Sequence, residues 1–278
     1  MQKTFINTVA TIALSLTASY ATANERIISA GSAVTELILA LEQQDQLVAV
    51  DVTSQLPQGM TLPKIGYHRN LSSEGLLALG PNRLIGSDEM GPDTTLAQLK
   101  SAGVSVDIVN TDATPAGLLA RIDEIAELTG AETQAKQLKT EVNKKIAALK
   151  ANKPSEAKKV LFLLIHEGRP ANVAGKETPP DAIINLAGGI NPAADKLTSY
   201  KPLSTEAMVE MQPDVILVSG RSLEKIGGAD EILKKMPLLA ATPAGQNKRF
   251  ITIDGHALVG GLGLKSLEEA ERLSKLLK

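Results

Sequence analysis

The sequence predicts an α/β protein of two Rossmann-like α/β lobes joined by one long bridging α-helix. Three observations carry this. Strand-like and helix-like segments alternate on both sides of residues 114–153. Within that stretch no proline occurs from Pro115 to about Lys150, and apolar residues recur at helical spacing. Residues 71–87 (LSSEGLLALGPNRLIGS) also recur without a gap as residues 203–219 (LSTEAMVEMQPDVILVS), an offset of 132. Leu, Ser, Glu, Pro and the final Ser are identical, as duplicated lobes would leave them.

The elements follow in order. Residues 1–23 read as a secretory signal peptide: Lys3 supplies the positive end, Phe5 to Leu16 the apolar stretch, and Ala21-Thr22-Ala23 the cleavage site. The first lobe, 24–113, opens with a strand from Arg26 to Ala30. A helix follows from Ser32, with Val34, Leu37, Ile38 and Leu41 on one face, then a strand from Leu47 to Val52. A Pro- and Gly-rich loop runs to Leu71. Beyond it are expected a helix to Leu79, a strand Arg83 to Gly86, a helix Asp93 to Ala102 and a strand Val104 to Val109. Thr114 caps the bridge and Pro115 occupies its first helical position. Gly130 is a soft break in it. Some 35 residues of helix would reach about 50 Å, a strut between lobes. The second lobe, 154–278, is expected to hold strands at Lys159 to Ile165, Val215 to Val218 and Arg249 to Ile253. Its helices are expected at Asp181 to Leu186, Leu203 to Met211, Glu231 to Met236 and Ser266 to Leu277.

Composition narrows the function. Of 278 residues, 43% are hydrophobic and 22% charged, enough apolar surface for two cores. The net charge of -2 points away from nucleic acid. Without cysteine there is no disulfide, no thiolate metal site, no cysteine nucleophile and no lipid-modified N-terminus. The expected product is a free monomer confined to a periplasm. Aromatics are 2% of the chain, which disfavours a row of stacking rings.

His68, His166 and His256 have no metal-ligand spacing, and no G-x-S-x-G elbow or P-loop is present, so no enzyme is expected. Gly260, Gly261 and Gly263 read as a loop before the last helix. Tyr67 stands in the loop between a strand and the repeat helix, either capping a core edge or serving as a phenolate ligand. Fe(III) is a hard cation that takes phenolate oxygen, as in tyrosinate-ligated haem, and Arg69 supplies a nearby positive charge that favours the anion. His166 and Arg221 follow strands at carboxyl ends, where ligands bind in parallel α/β lobes. His166 could bind iron or donate a hydrogen bond, Arg221 could pair with a carboxylate, and solvated loop residues are the alternative for both. Glu74 and Glu206 are the repeat-related acids. Each is favoured by the first turn of its helix, or the two form acidic knobs that dock onto basic sockets of a partner.

These residues carry a resemblance. Gly31 to Asp51, the stretch Leu62 to Ile85 with its Gly66-Tyr67-His68-Arg69 element, Ser87 to Pro92, Leu96 to Leu99, and Thr178, Asp181, Gly188, Gly189 and Asn191 resemble the helical-backbone class of periplasmic binding proteins. More narrowly, the chain resembles the haem-binding proteins of haemin ABC importers. The resemblance implies that Tyr67 is the axial ligand of haem iron and that Arg69 hydrogen-bonds to or neutralises the phenolate. It implies that His166 matches a histidine some members use on a second, stacked haem, and that Arg221 meets a propionate or the tyrosinate. Glu74 and Glu206 match the pair that docks the lobes on an ABC permease dimer with its ATPase, downstream of an outer-membrane haem receptor. Two departures are Glu42-Gln43-Gln44, where relatives have glycine, and the Gly260–Gly263 loop. The alternatives are a same-scaffold binder of a ferric siderophore, cobalamin or a metal ion, and an exported haem-modifying enzyme.

Overall fold

The computed structural model describes residues 25–165, 168–220, 223 and 226–278. The export segment lies outside them. The first lobe is a four-stranded parallel sheet in the order β2-β1-β3-β4, formed by β1 (Ile27–Ala30), β2 (Leu47–Val50), β3 (Arg83–Gly86) and β4 (Ser105–Ile108). The apolar runs of β1 and β2 are buried, as in a parallel sheet covered on both faces. α1 (Ser32–Ala40), α2 (Ser73–Leu77) and α3 (Asp93–Ser101) connect the strands. The second lobe holds β5 (Val160–Leu164), β6 (Asn172–Ala174), β7 (Tyr200–Pro202), β8 (Val215–Ser219) and β9 (Phe250–Ile253), in the order β7-β6-β5-β8-β9. Its helices are α6 (Pro179–Leu186), α7 (Thr205–Glu210), α8 (Ala229–Lys235), α9 (Pro243–Gln246) and α10 (Leu264–Leu276). β6 and β7 pair antiparallel. At three residues each, they are too short to leave an alternating pattern in the sequence.

The repeat occupies equivalent places. The Ser72 hydroxyl accepts from Gly75 N–H at the start of α2, and the Ser204 hydroxyl from Ala207 N–H at the start of α7. β3 lies between β1 and β4, and β8 lies between β5 and β9. Glu74 and Glu206 are both exposed in the first turns of their helices.

The bridge divides at Gly130, which is left-handed (φ 71°), into α4 (Pro115–Thr129) and α5 (Glu132–Ala151). The side chains of Lys139 and Asp123 meet at 2.6 Å, so α4 folds back beside α5. The strut is therefore α5 alone, 20 residues and about 30 Å long, rather than the 50 Å expected of the whole segment. It starts beside the end of α1 and finishes against α10. Its buried Leu138, Val142, Ile146 and Leu149 belong to a core continuous with Ile27 and Leu37 of the first lobe and Phe162 and Leu217 of the second. A shared core of this kind opposes wide opening of the lobes. Glu42 ends α1 at φ 60°, a backbone state that favours glycine, the residue type expected there.

The Gly260–Gly263 loop forms the interlobe seam. Ala33 N–H, at the start of α1, donates to the Val259 carbonyl at 3.3 Å. Arg121 of α4, fully buried, donates to the Asn110 carbonyl of the first lobe and, at 2.8 Å, to the Leu262 carbonyl of the second. Glu36 accepts the N–H groups of Leu264 and Lys265 at the start of α10, at 2.5 and 3.2 Å. Burial raises its carboxyl from 4.5 to about 7, against the lowering effect of those two donors. A folded-state value above the unfolded one means that the fold holds the extra proton. The Glu36 contribution to stability is thus complete below pH 4.5 and lost as pH rises through about 7. Melting temperature should fall between pH 5 and 8, and Glu36→Gln should flatten that slope by up to about one proton. Equal slopes in the two proteins would refute the assignment.

Candidate functional site

The chain beyond β2 builds the site. Val50 N–H donates to the Pro63 carbonyl, Ile65 N–H to Val50 and Val52 N–H to Gly66, so residues 63–66 extend the open edge of the sheet. Gly66 adopts φ 84°, a left-handed turn that delivers Tyr67 at the end of this extension. Asn70 N–H then donates to the Tyr67 carbonyl and Gly91 N–H to that of His68, tying the loop to the turn after β3. The backbone is held while Tyr67 remains 45% exposed, unusual for a large aromatic side chain.

Beneath Tyr67 lies a buried polar chain. Ser29, Thr35, Ser54 and Asp51 are linked side chain to side chain at 2.7, 2.6 and 2.6 Å. Asp51 Oδ2 meets Nδ1 of the fully buried His68 at 2.8 Å, and the imidazole lies 4.4 Å from the Tyr67 ring centroid. Burial would lower the His68 pKa, but Asp51 and Glu89 outweigh it and raise it. Burial likewise opposes ionisation of Asp51, and hydrogen bonds from His68, Ser54 and Thr53 bring it below its usual value.

Arg69 is half-exposed and donates to Glu89, in the turn after β3, rather than to the Tyr67 hydroxyl. His68 and Arg69 hold the Glu89 carboxyl below the ordinary carboxylate range. From the second lobe, Tyr200 of β7 faces the same pair: burial and then Glu89 push its phenol above its ordinary value, while Arg69 opposes them. Tyr200 also packs edge-on against Phe162, 6.3 Å between centroids.

Between the lobes lies a cavity of about 240 Å³, lined by Glu89 and Thr111 on one side and by Glu177, Ser199, Tyr200 and Gly261 on the other. That is smaller than the roughly 300 Å³ of a small-molecule pocket, so it accepts part of a ligand and leaves the rest across the cleft. Glu177 and Ser199 are both left-handed, at φ 65°, an uncommon state for residues with side chains. Across the seam, the Gln55 amide nitrogen lies 2.9 Å from Nδ1 of His256.

The structure thus brings Tyr67 and Arg69 together and adds Asp51, His68, Glu89 and Tyr200, which sequence reasoning did not assign to the site. The position of Asp51 at the carboxyl end of β2 was the one available signal. His166 and Arg221 lie outside the described residues. Glu74 and Glu206 stand apart, on α2 and α7.

The chain matches the family model described as periplasmic binding protein over residues 27–257. Among solved structures it is similar to the periplasmic haem-binding protein HutB of Vibrio cholerae, with 64% identity and a TM-score of 0.87, covering 91% of this chain and 99% of that one. It is similar to the periplasmic haem-binding protein RhuT from Roseiflexus sp. RS-1, with 37% identity and a TM-score of 0.85 over 91% and 98% of the two chains. It also resembles the periplasmic haem-binding protein BhuT in complex with two haems, with 34% identity and a TM-score of 0.82 over 91% and 99%. Among curated proteins, a vitamin B12-binding protein of Vibrio parahaemolyticus serotype O3:K6 is 26% identical over 216 residues, 77% of this chain and 78% of that protein. The extent of the family match and the identities to these structures establish that the chain belongs to the periplasmic binding protein family.

Proposed function

We propose that this protein captures haem in the interlobe cleft and delivers it to an ABC permease of the inner membrane. The observation that carries the reading is Tyr67: a half-exposed phenol on a backbone held by hydrogen bonds, in a chain 64% identical to a haem-binding protein. Its oxygen is a hard donor suited to ferric iron. Asp51 and His68 fix the floor under its ring, so little ordering is left for ligand binding to impose. His166 would serve a second haem, and Arg221 a propionate. Residues 1–23 would direct export to the periplasm, where the chain would act as a monomer. No bond is made or broken in this reading. An outer-membrane receptor would supply the haem.

Titration of the mature protein with ferric haem tests this. The expected result is a saturable Soret band with a tyrosinate-to-iron charge-transfer feature, and an equivalence point at two haems would bring His166 into the site. No saturable band overturns the reading. The curated B12-binding relatives then make cobalamin the ligand to try.

Delivery places Glu74 and Glu206 on the permease. Both are exposed in the first turns of equivalent helices of the two lobes. Replacing both with Ala should leave haem affinity unchanged and reduce transport in vesicles reconstituted with permease and ATPase at least about tenfold, by analogy with loss of desolvated charge pairs. Unchanged transport refutes the docking role.

A further inference from the structure

A second cavity, of about 330 Å³, lies between α5 and α10 and shares no lining residue with the interlobe cavity. It reaches the roughly 300 Å³ of a small-molecule pocket. Its floor is apolar, built by the buried Leu149 of α5 and Leu267 of α10. Its rim carries Lys145, Lys275 and Lys278, all exposed. Glu271 pairs with Lys275 at 2.9 Å and also faces Lys145, so one acid answers three lysines. The bridge adds to this charge: residues 132–159 hold eight lysines and three glutamates, in a chain whose net charge is -2. Ser274 of α10 is the third feature. It lines the same cavity and is 5% exposed, yet its hydroxyl makes no hydrogen bond among the described residues. A hydroxyl within a helix commonly donates to the carbonyl four residues earlier, and Thr129 and Thr140 do so in α4 and α5. Buried polar groups are rarely left without a partner, and the groove is where a partner for Ser274 can enter.

We propose that the groove between α5 and α10 is a binding site for an anionic amphiphile, one acidic headgroup on an unbranched apolar chain. The headgroup meets the lysines and accepts the Ser274 O–H, and the chain lies along Leu149 and Leu267. Each part of the ligand answers a separate feature of the groove. A bare anion would leave the apolar floor in water, and a neutral hydrocarbon would leave the hydroxyl unpaired. Lysine ammonium groups are compact point charges that suit a carboxylate or a phosphate alike, so a free fatty acid and a phospholipid offer the same chemistry. The proposal does not rest on the haem reading, because no residue of the cleft takes part in it.

Titration calorimetry of the mature protein with dodecanoate is the test. The expected result is saturable binding at one equivalent, with affinity rising roughly two- to fourfold per methylene from octanoate to dodecanoate. Lys145→Glu, at an exposed position, should weaken dodecanoate binding at least about fivefold. Ser274→Ala should weaken it about tenfold. Its melting temperature should stay equal or rise, because the hydroxyl has no protein partner to lose and alanine is the better helix former. Both variants should titrate with ferric haem as wild type does, and Tyr67→Phe should bind dodecanoate as wild type does. Dihexanoyl phosphatidylglycerol, below its micelle concentration, separates the sources: tighter binding than dodecanoate assigns the groove to a phospholipid, weaker binding to a free fatty acid. The absence of saturable binding overturns the proposal. So does an affinity independent of chain length, which marks a surface anion contact only. Wild-type affinity in both Lys145→Glu and Ser274→Ala overturns it as well, and so does competition by ferric haem, which would place the amphiphile in the cleft.

Discussion

Tyr67→Phe should abolish the charge-transfer feature of the haem complex and weaken ferric haem binding by on the order of 100-fold or more. Even the outer partners of a metal ligand cost 10–100-fold when lost, and this substitution removes the donor atom itself. The ring stays, so its packing 4.4 Å from His68 stays too. The hydroxyl lies on a side chain 45% exposed, so its removal leaves no buried group unpaired. Stability should change by less than about 0.5 kcal/mol. The variant is therefore a clean probe: equal melting temperatures with a lost spectrum assign the iron bond to Tyr67. An unchanged spectrum and affinity would remove Tyr67 from the site.

Gly261→Ala should be among the single changes most damaging to stability. Gly261 has φ 89°, and an added Cβ would lie 2.6 Å from the Thr111 carbonyl oxygen and against the Arg121 guanidinium. Neither neighbour yields easily. Thr111 presents backbone, and Arg121 is fully buried and pinned to Asn110 and Leu262. Overpacking and left-handed strain together should cost about 3 kcal/mol or more, a fall in melting temperature of roughly 6–12 °C. Gly59→Ala is the control, since Gly59 has φ 86° but nothing within 4 Å of its added Cβ. It should cost about 1 kcal/mol, the backbone contribution alone. Equal losses in the two variants would mean that the seam is not tightly packed.

Local signals were legible in proportion to how local their physics is. Ser72, Ser204 and Thr114 cap the helices they precede because the hydrogen bond spans three residues. The apolar runs of β1, β5 and β8 read as strands, and they are strands, almost wholly buried. The fold-back at Gly130 was harder. The apolar stripe runs through α4 and α5 alike, since each buries one face, and the direction of α5 depends on contacts with α4, α6 and α10. The site divides the same way. Tyr67 and Arg69 stood out because they share one short loop of an aromatic-poor chain. Glu89 lies 20 residues from Arg69, and Tyr200 comes from the other lobe, so no spacing rule joins them.

The sequence by itself determined the α/β class, the duplicated helix-turn-strand unit and the tyrosine loop, because capping, periodicity and turn chemistry act over a few residues. Only the tertiary structure decided that His68 is a buried base pinned to Asp51, that Arg69 spends its charge on Glu89, and that a glycine loop seals the lobes against Arg121 and Glu36. Those outcomes depend on which side chains lose water together, and chain closure between residues 17 to 229 positions apart sets that.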